Sequence, residues 1–152
     1  AGALPPDRSF DGRSFRAGLD GAALAGWDEI HGSHTMHEIT MYYPMRMVRT
    51  RRYKLIHNLA SGLRYPFALD LIQSPTWVGV TRAGGAVFGR RPIERFLHRP
   101  EFELYDLETD PDEVVNLAAQ PARQPLKDEL IARLKAFQTA TKDPWFSKWS
   151  YE

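Results

Sequence analysis

The sequence predicts an α+β domain in which a small antiparallel sheet of about four strands packs against a long C-terminal helix. Runs rich in β-branched and aromatic residues indicate the strands, at residues 35–43, 45–50, 53–57 and 102–107. Residues 125–141 indicate the helix, because apolar side chains recur there at helical spacing, at Leu126, Leu130, Ile131, Leu134 and Phe137. One sheet face and one helix stripe can form a core, and 152 residues predict one domain.

The first part of the chain predicts a loop followed by a hairpin. Residues 1–28 are rich in Gly, Pro, Asp and Arg and lack periodicity, apart from a single helical turn at residues 19–24. Pro44 interrupts the first strand, which suits a strand end or a sheet edge. The strand at 45–50 alternates in side-chain direction, and its short link to the strand at 53–57 predicts a hairpin.

Two short helices and a turn are predicted between the hairpin and the C-terminal helix. Residues 74–81 begin with Ser-Pro, in which Ser accepts a hydrogen bond from a backbone N–H and Pro suits the first helical position. Residues 92–98 predict a second short helix. Residues 109–112, Thr-Asp-Pro-Asp, predict a turn after the last strand.

Composition and charge exclude several classes of function. Twenty Lys and Arg residues face 19 Asp and Glu residues, so a formal net charge of +1 does not favour nucleic acid binding. The chain has no cysteine, which excludes disulfides and cysteine-based metal sites. No apolar run approaches the roughly 18 residues that cross a bilayer. The sequence therefore predicts neither a nucleic acid partner nor a membrane partner.

Basic residues concentrate at 46–54 and at 90–99, and two interpretations of them stay open. They form a basic surface for an anionic ligand, or they are solvated residues that discourage edge pairing of strands. Acidic residues collect at 101–113, but their spacing does not match a calcium-binding loop, which would also need a glycine. A turn with capping acids is the better interpretation of that stretch.

Three histidines and a glutamate lie close together in the sequence, at His31, His34, His37 and Glu38. Side chains two apart share a face of a strand, so His31 and His37 point one way and the other two point the opposite way. Because zinc needs about four tetrahedral ligands, this parity predicts no metal site. His37 and Glu38 can instead hydrogen-bond sugar hydroxyls or amines. A strand-end pair in solvent, or a satisfied buried hydrogen bond, explains them equally well.

The chain carries no nucleophile motif. The Gly-x-Ser-x-Gly elbow, the phosphate-binding P-loop and the Gly-x-Gly-x-x-Gly turn are all absent from the sequence. No catalytic residue is therefore predicted in this chain.

Several runs resemble the C-terminal segment of sulfatases. Residues 102–118 are similar to that family's closing signature, which reads Glu-Leu-Tyr-Asp-Leu-x-x-Asp-Pro-x-Glu-x-x-Asn-Leu-Ala. Residues 11–15, Asp-Gly-Arg-Ser-Phe, resemble the segment that follows the family's large α/β domain, and residues 47–56 resemble a hairpin of the same family. Residues 37–46, His-Glu-Ile-Thr-Met-Tyr-Tyr-Pro-Met-Arg, look like the matching run of the sulfamidase subgroup.

This resemblance implies the C-terminal subdomain of the alkaline-phosphatase-like sulfatase fold. Residues 30–152 then form the subdomain, and residues 1–29 connect it to an N-terminal α/β catalytic domain that is not in this chain. Sulfatases use calcium and a formylglycine made in a Cys/Ser-x-Pro-x-Arg motif, and that motif is absent here. The resemblance therefore implies no cofactor in this chain, which is not catalytic alone although its parent protein is a hydrolase.

The resemblance also implies which residues meet the substrate. Glu38 would accept hydroxyl hydrogens of a glucosamine-type sugar, His37 would donate to a sulfate or hydroxyl, and Arg46 would place a uronate or stabilise the loop. Such contacts position a substrate rather than react with it. The function implied is a contribution to the substrate pocket of a sulfatase that hydrolyses sulfamate or sulfate ester groups. The partners implied are the catalytic domain and a sulfated sugar.

A stand-alone carbohydrate- or polyanion-binding module is the alternative function, because of the two basic stretches and the many aromatic residues. A homo-oligomer also stays open, since a surface made for an absent domain would be apolar and prone to self-association. The resemblance implies a soluble protein, periplasmic or cytoplasmic in a bacterium and lysosomal in animal relatives. The residues themselves indicate no compartment.

Overall fold

The computed structural model describes residues 12–38 and 41–150, and it confirms the predicted α+β architecture. In chain order the elements are α1 (Arg16–Leu19), β1 (Glu29–Met36), β2 (Tyr42–Thr50), β3 (Tyr53–Asn58), α2 (Leu69–Ile72), α3 (Pro75–Arg82), β4 (Val87–Phe88), β5 (Arg91–Pro92), α4 (Ile93–Leu97), β6 (Phe102–Asp106) and α5 (Gln124–Ala140). Strands β1, β2, β3 and β6 form one antiparallel sheet in that order, and helix α5 packs against one of its faces. Two 3-10 turns, Pro121–Arg123 and Pro144–Trp149, flank α5.

The core lies between the sheet and α5, and the strand register explains its position. Val48 of β2 is opposite Leu55 of β3, which is opposite Leu104 of β6, so one apolar row crosses three strands. All three side chains are fully buried and belong to one cluster with Leu130 and Leu134 of α5. Alternation in each strand and helical spacing in α5 bring these residues to a single interface.

The segment between β3 and β6 carries a second, aromatic cluster. Phe67 and Phe96 stack with ring centroids 5.1 Å apart, and Trp77 lies 4.7 Å from Phe67. Trp77 belongs to α3, whose start is confirmed, since the Trp77 N–H donates to the Ser74 hydroxyl at 3.2 Å. This cluster gives the connection aromatic contacts of its own.

Three local predictions are wrong. Pro44 does not mark a strand end or a sheet edge, because it is buried within β2, an inner strand between β1 and β3. The helical turn expected at 19–24 lies instead at Arg16–Leu19, and the chain then bends at Gly21, whose φ of +83° suits a glycine. The strand expected at 35–43 is divided, because β1 ends at Met36 and β2 begins at Tyr42. Ile39 and Thr40 of that prediction lie outside the described residues. The propensities of 35–43 suit a strand throughout, but residues 36 and 42 pair with each other across a hairpin.

Helices in the part of the chain that the structure describes are all too short or too polar to cross a membrane.

Candidate functional site

The structure places His37 and Glu38 at the connection between β1 and β2. Both residues are exposed and follow directly after the last residue of β1. The carbonyl oxygen of Glu38 accepts a hydrogen bond of 2.9 Å from the N–H of Met41, which is buried. The backbone of Glu38 is therefore held to Met41, while the side chains of His37 and Glu38 are exposed.

Arg46, the third predicted site residue, lies inside the protein. It is 5 % exposed, and its guanidinium binds Asp143 with two hydrogen bonds, 2.5 Å from Nε to Oδ2 and 2.9 Å from Nη2 to Oδ1. Its Nη1 donates to the carbonyl oxygens of His34, at 3.1 Å, and Met45, at 2.9 Å. The guanidinium thus connects β1 and β2 to Asp143, three residues after the end of α5. This geometry suits the loop-stabilising role rather than contact with a uronate.

Asp143 is the partner that sequence reasoning missed. The Arg46 guanidinium lowers the pKa of its carboxyl to about 2, and hydrogen bonds from Gln138 and from the Trp145 N–H act in the same direction. Gln138 is fully buried, and its amide oxygen accepts a 2.7 Å hydrogen bond from the Trp149 indole. We call Arg46, Asp143, Gln138 and Trp149 the clasp, because they fasten the C-terminal tail to the sheet. Asp-Pro at 143–144 indicates a helix cap, but nothing in the sequence pairs it with Arg46.

His57 lies beside the clasp between two aromatic rings. Its ring centroid is 4.7 Å from that of Phe102 and 4.2 Å from that of Trp149. Burial, together with the positive charges of Lys135 and Arg46, lowers the pKa of His57 to about 4. His57 Nδ1 has no hydrogen-bond partner among the residues that the structure describes. The packing therefore holds this imidazole neutral.

We expect acid to destabilise the protein through His57. The folded pKa of about 4 lies below the value of about 6.5 for the unfolded chain, so the unfolded state binds more protons between these values. The contribution of His57 to the free energy of unfolding is fully present above pH 6.5 and is lost as the pH falls to 4. We expect the loss to be about 1–2 kcal/mol after allowance for partial solvent screening. Urea denaturation at several pH values measures this slope. A His57→Gln variant should flatten it, and an unchanged slope in that variant would contradict this assignment.

His31 and His34 do not join His37 in a site. His31 stacks on Phe137 of α5 at 3.9 Å, and burial lowers its pKa. His34 Nδ1 lies 3.0 Å from the carbonyl oxygen of Tyr43, on the opposite face of the sheet from His31. Within residues 12–38 and 41–150, no group of three or more acidic or histidine side chains can hold a metal ion. Those described residues therefore do not supply the donor set of a calcium site.

The basic stretch at 46–54 is largely paired with carboxylates. Besides Arg46, Arg52 donates to Asp106 at 2.7 and 2.9 Å, and Lys54 donates to both oxygens of Glu113 at 2.8 and 2.9 Å. These pairs connect β2, β3 and the turn after β6. Most of this stretch therefore stabilises the fold rather than offering open positive charge.

Comparison with known proteins identifies the family. The human N-sulphoglucosamine sulphohydrolase is 36 % identical over 137 residues, which are 88 % of this chain and 27 % of the human protein. The chain belongs to the sulfatase family. An ulvan-active sulfatase of Formosa agariphila is 29 % identical over 144 residues, 93 % of this chain and 26 % of that sulfatase. No family model matches the chain.

Solved sulfatase structures share the fold. A 2-O GAG sulfatase superposes with a TM-score of 0.59 at 23 % identity, over 95 % of this chain and 23 % of its own. A protein in complex with its substrate D-glucosamine-2-N,6-O-disulfate gives a TM-score of 0.56 at 19 % identity, over 93 % of this chain and 22 % of its own. The chain spans about a quarter of the length of the curated sulfatases it matches. The predicted sulfatase C-terminal subdomain is confirmed.

Proposed function

We propose that this chain forms part of the substrate pocket of a sulfatase that removes sulfate from a glucosamine-type sugar, as a sulfamate or a sulfate ester. The observation that carries the proposal is the exposed pair His37 and Glu38 on an anchored hairpin loop. The similarity to an N-sulphoglucosamine sulphohydrolase and to a protein with a disulfated glucosamine substrate supports the choice of sugar.

The two exposed side chains position the sugar in this proposal. Glu38, as a carboxylate, accepts hydrogen bonds from hydroxyl groups, and His37 donates from its ring to a sulfate oxygen or hydroxyl. Arg46 acts behind them, because it holds the carbonyl of His34 three residues before the pair. The nucleophile and the calcium ion belong to the catalytic domain in a longer polypeptide, and this chain alone turns nothing over.

The test is steady-state kinetics of the full-length protein on N-sulfoglucosamine and on glucosamine 6-sulfate. Glu38→Ala and His37→Ala are each expected to lower kcat/KM by about tenfold to a hundredfold, because each removes a hydrogen bond that involves a charged group. Glu94→Ala, an exposed carboxylate on α4, is the matched control and should leave kcat/KM unchanged. Wild-type kcat/KM in both loop variants would remove these residues from the pocket. Turnover by the 152-residue chain alone would refute the division of labour.

A further inference from the structure

A cavity of about 420 Å³ lies between α4 and the loop that follows β6. Arg91, Arg95 and Arg99 line it on one side, and Glu103, Tyr105 and Glu113 line it on the other. Because Leu104 points toward α5, its neighbours in β6 point to the opposite face of the sheet, where the cavity opens. No described residue of the β1–β2 loop lines this cavity, although an adjoining cavity that shares Arg91 and Arg99 with it reaches His34.

The carboxylates of the cavity are already engaged by other donors. Glu103 accepts hydrogen bonds from the Tyr105 hydroxyl and, at 2.8 Å, from the Asn58 amide. Both oxygens of Glu113 accept from Lys54, at 2.8 and 2.9 Å. Arg99 approaches Glu103 at 3.4 Å and Arg91 approaches Glu113 at 3.7 Å, and Arg91 Nη2 also donates to the carbonyl oxygen of Asp112 at 2.9 Å.

The guanidinium groups consequently carry more N–H donors than the surrounding acceptors can bind. Each guanidinium carries five N–H donors. Arg99 Nε is buried and has no acceptor among the described residues. Arg95 is exposed at the cavity wall and makes neither a hydrogen bond nor an ion pair within residues 12–38 and 41–150. The carboxylates of Glu103 and Glu113 offset two of the three positive charges of the cavity. The charge of Arg95 is left without a counterion among the described residues.

We propose that this cavity binds the sulfate group of a second, sulfated sugar. A guanidinium matches an oxyanion with two parallel hydrogen bonds, and the Phe96 ring in the wall offers an apolar surface for a sugar face. A volume of about 420 Å³ is within the usual range of small-molecule sites, which begins at about 300 Å³. Arg95 is the specific anchor, because its donors have no other acceptor. The proposal does not depend on the role of His37 and Glu38.

The test is calorimetric titration of the 152-residue chain with three probes at constant ionic strength: a sulfated heparin disaccharide, its desulfated form and sodium sulfate. The sulfated disaccharide should bind, and Arg95→Ala should weaken it about tenfold or more, which corresponds to one lost charge-assisted hydrogen bond. Arg95→Lys keeps the positive charge but loses the planar pair of N–H donors. Its affinity should therefore lie between those of the wild type and Arg95→Ala. Circular dichroism should show an unchanged fold, since Arg95 is exposed.

Arg82→Ala at the end of α3 is the matched control, because it removes an equal exposed charge that does not line the cavity. Glu38→Ala is the second control and should leave this binding intact. The proposal is overturned if no probe binds, or if Arg82→Ala weakens binding as much as Arg95→Ala does. It is also overturned if the desulfated sugar binds equally well, or if free sulfate binds as tightly as the disaccharide.

Discussion

Replacing Arg46 with alanine is expected to lower the free energy of unfolding by about 3–5 kcal/mol, the usual effect of removing one member of a buried ion pair. The variant leaves the Asp143 carboxylate, whose side chain is 11 % exposed, without its two guanidinium hydrogen bonds. It also leaves the carbonyl of His34 without the Arg46 donor. Urea denaturation followed by tryptophan fluorescence measures the loss, because Trp145 and Trp149 lie in the C-terminal tail that Arg46 holds.

Arg51→Ala is the control for this prediction. Arg51 also pairs with an aspartate, Asp28, at 2.6 Å, but the two side chains are 77 % and 68 % exposed. Surface pairs of this kind contribute about 0–1 kcal/mol. If both variants lowered the free energy of unfolding by similar amounts, the buried Arg46 pair would stabilise the protein no more than a surface pair does. That result would contradict our interpretation of the clasp.

Replacing Glu103 with alanine is expected to cost about 3 kcal/mol or more, because the carboxylate is 6 % exposed and serves three donors. The Tyr105 hydroxyl, the Asn58 amide and the Arg99 guanidinium all point to it. A second measurement separates this effect from general loss of packing. Burial raises the pKa of Tyr105, and the bond to Glu103 raises it further, so its titration should shift downward in the variant.

Glu101→Ala is the control for the second prediction, since Glu101 lies two residues away and is 60 % exposed. We expect Glu101→Ala to lower the free energy of unfolding by no more than about 0.5 kcal/mol, as for most surface substitutions. A Tyr105 titration that is the same in the Glu103→Ala variant and in the wild type would show that the carboxylate does not act on the phenol.

Local patterns were sufficient to predict most of the architecture. The helical spacing of Leu130 and Leu134 and the alternation along β2 are repeated signals, and each element buries the residues that these signals select. The end of β1 was not predictable in this way, because its register shifts between His34 and Met36. A register is decided by pairing with another strand, which strand propensity does not report.

The polar interior was not predictable from the sequence. Arg46 and Asp143 are 97 positions apart, and Glu103 alternates with apolar residues as a solvent-facing residue would. Glu103 lies on the sheet face away from α5, where it meets Asn58 and Arg99, and such a tertiary contact is not visible in the local pattern. The prediction for His37 and Glu38 came from resemblance to sulfatases, and it stays a prediction that the kinetic test addresses.

The clasp makes the residues at positions 46 and 143 depend on each other during evolution. If Asp143 is replaced during evolution, the Arg46 guanidinium stays buried without its counterion. Either substitution alone is therefore selected against. Relatives should therefore keep both charges or exchange both together. Among related sequences, substitutions at position 46 in the hairpin should therefore correlate with substitutions at position 143 in the tail, even where the intervening chain has diverged.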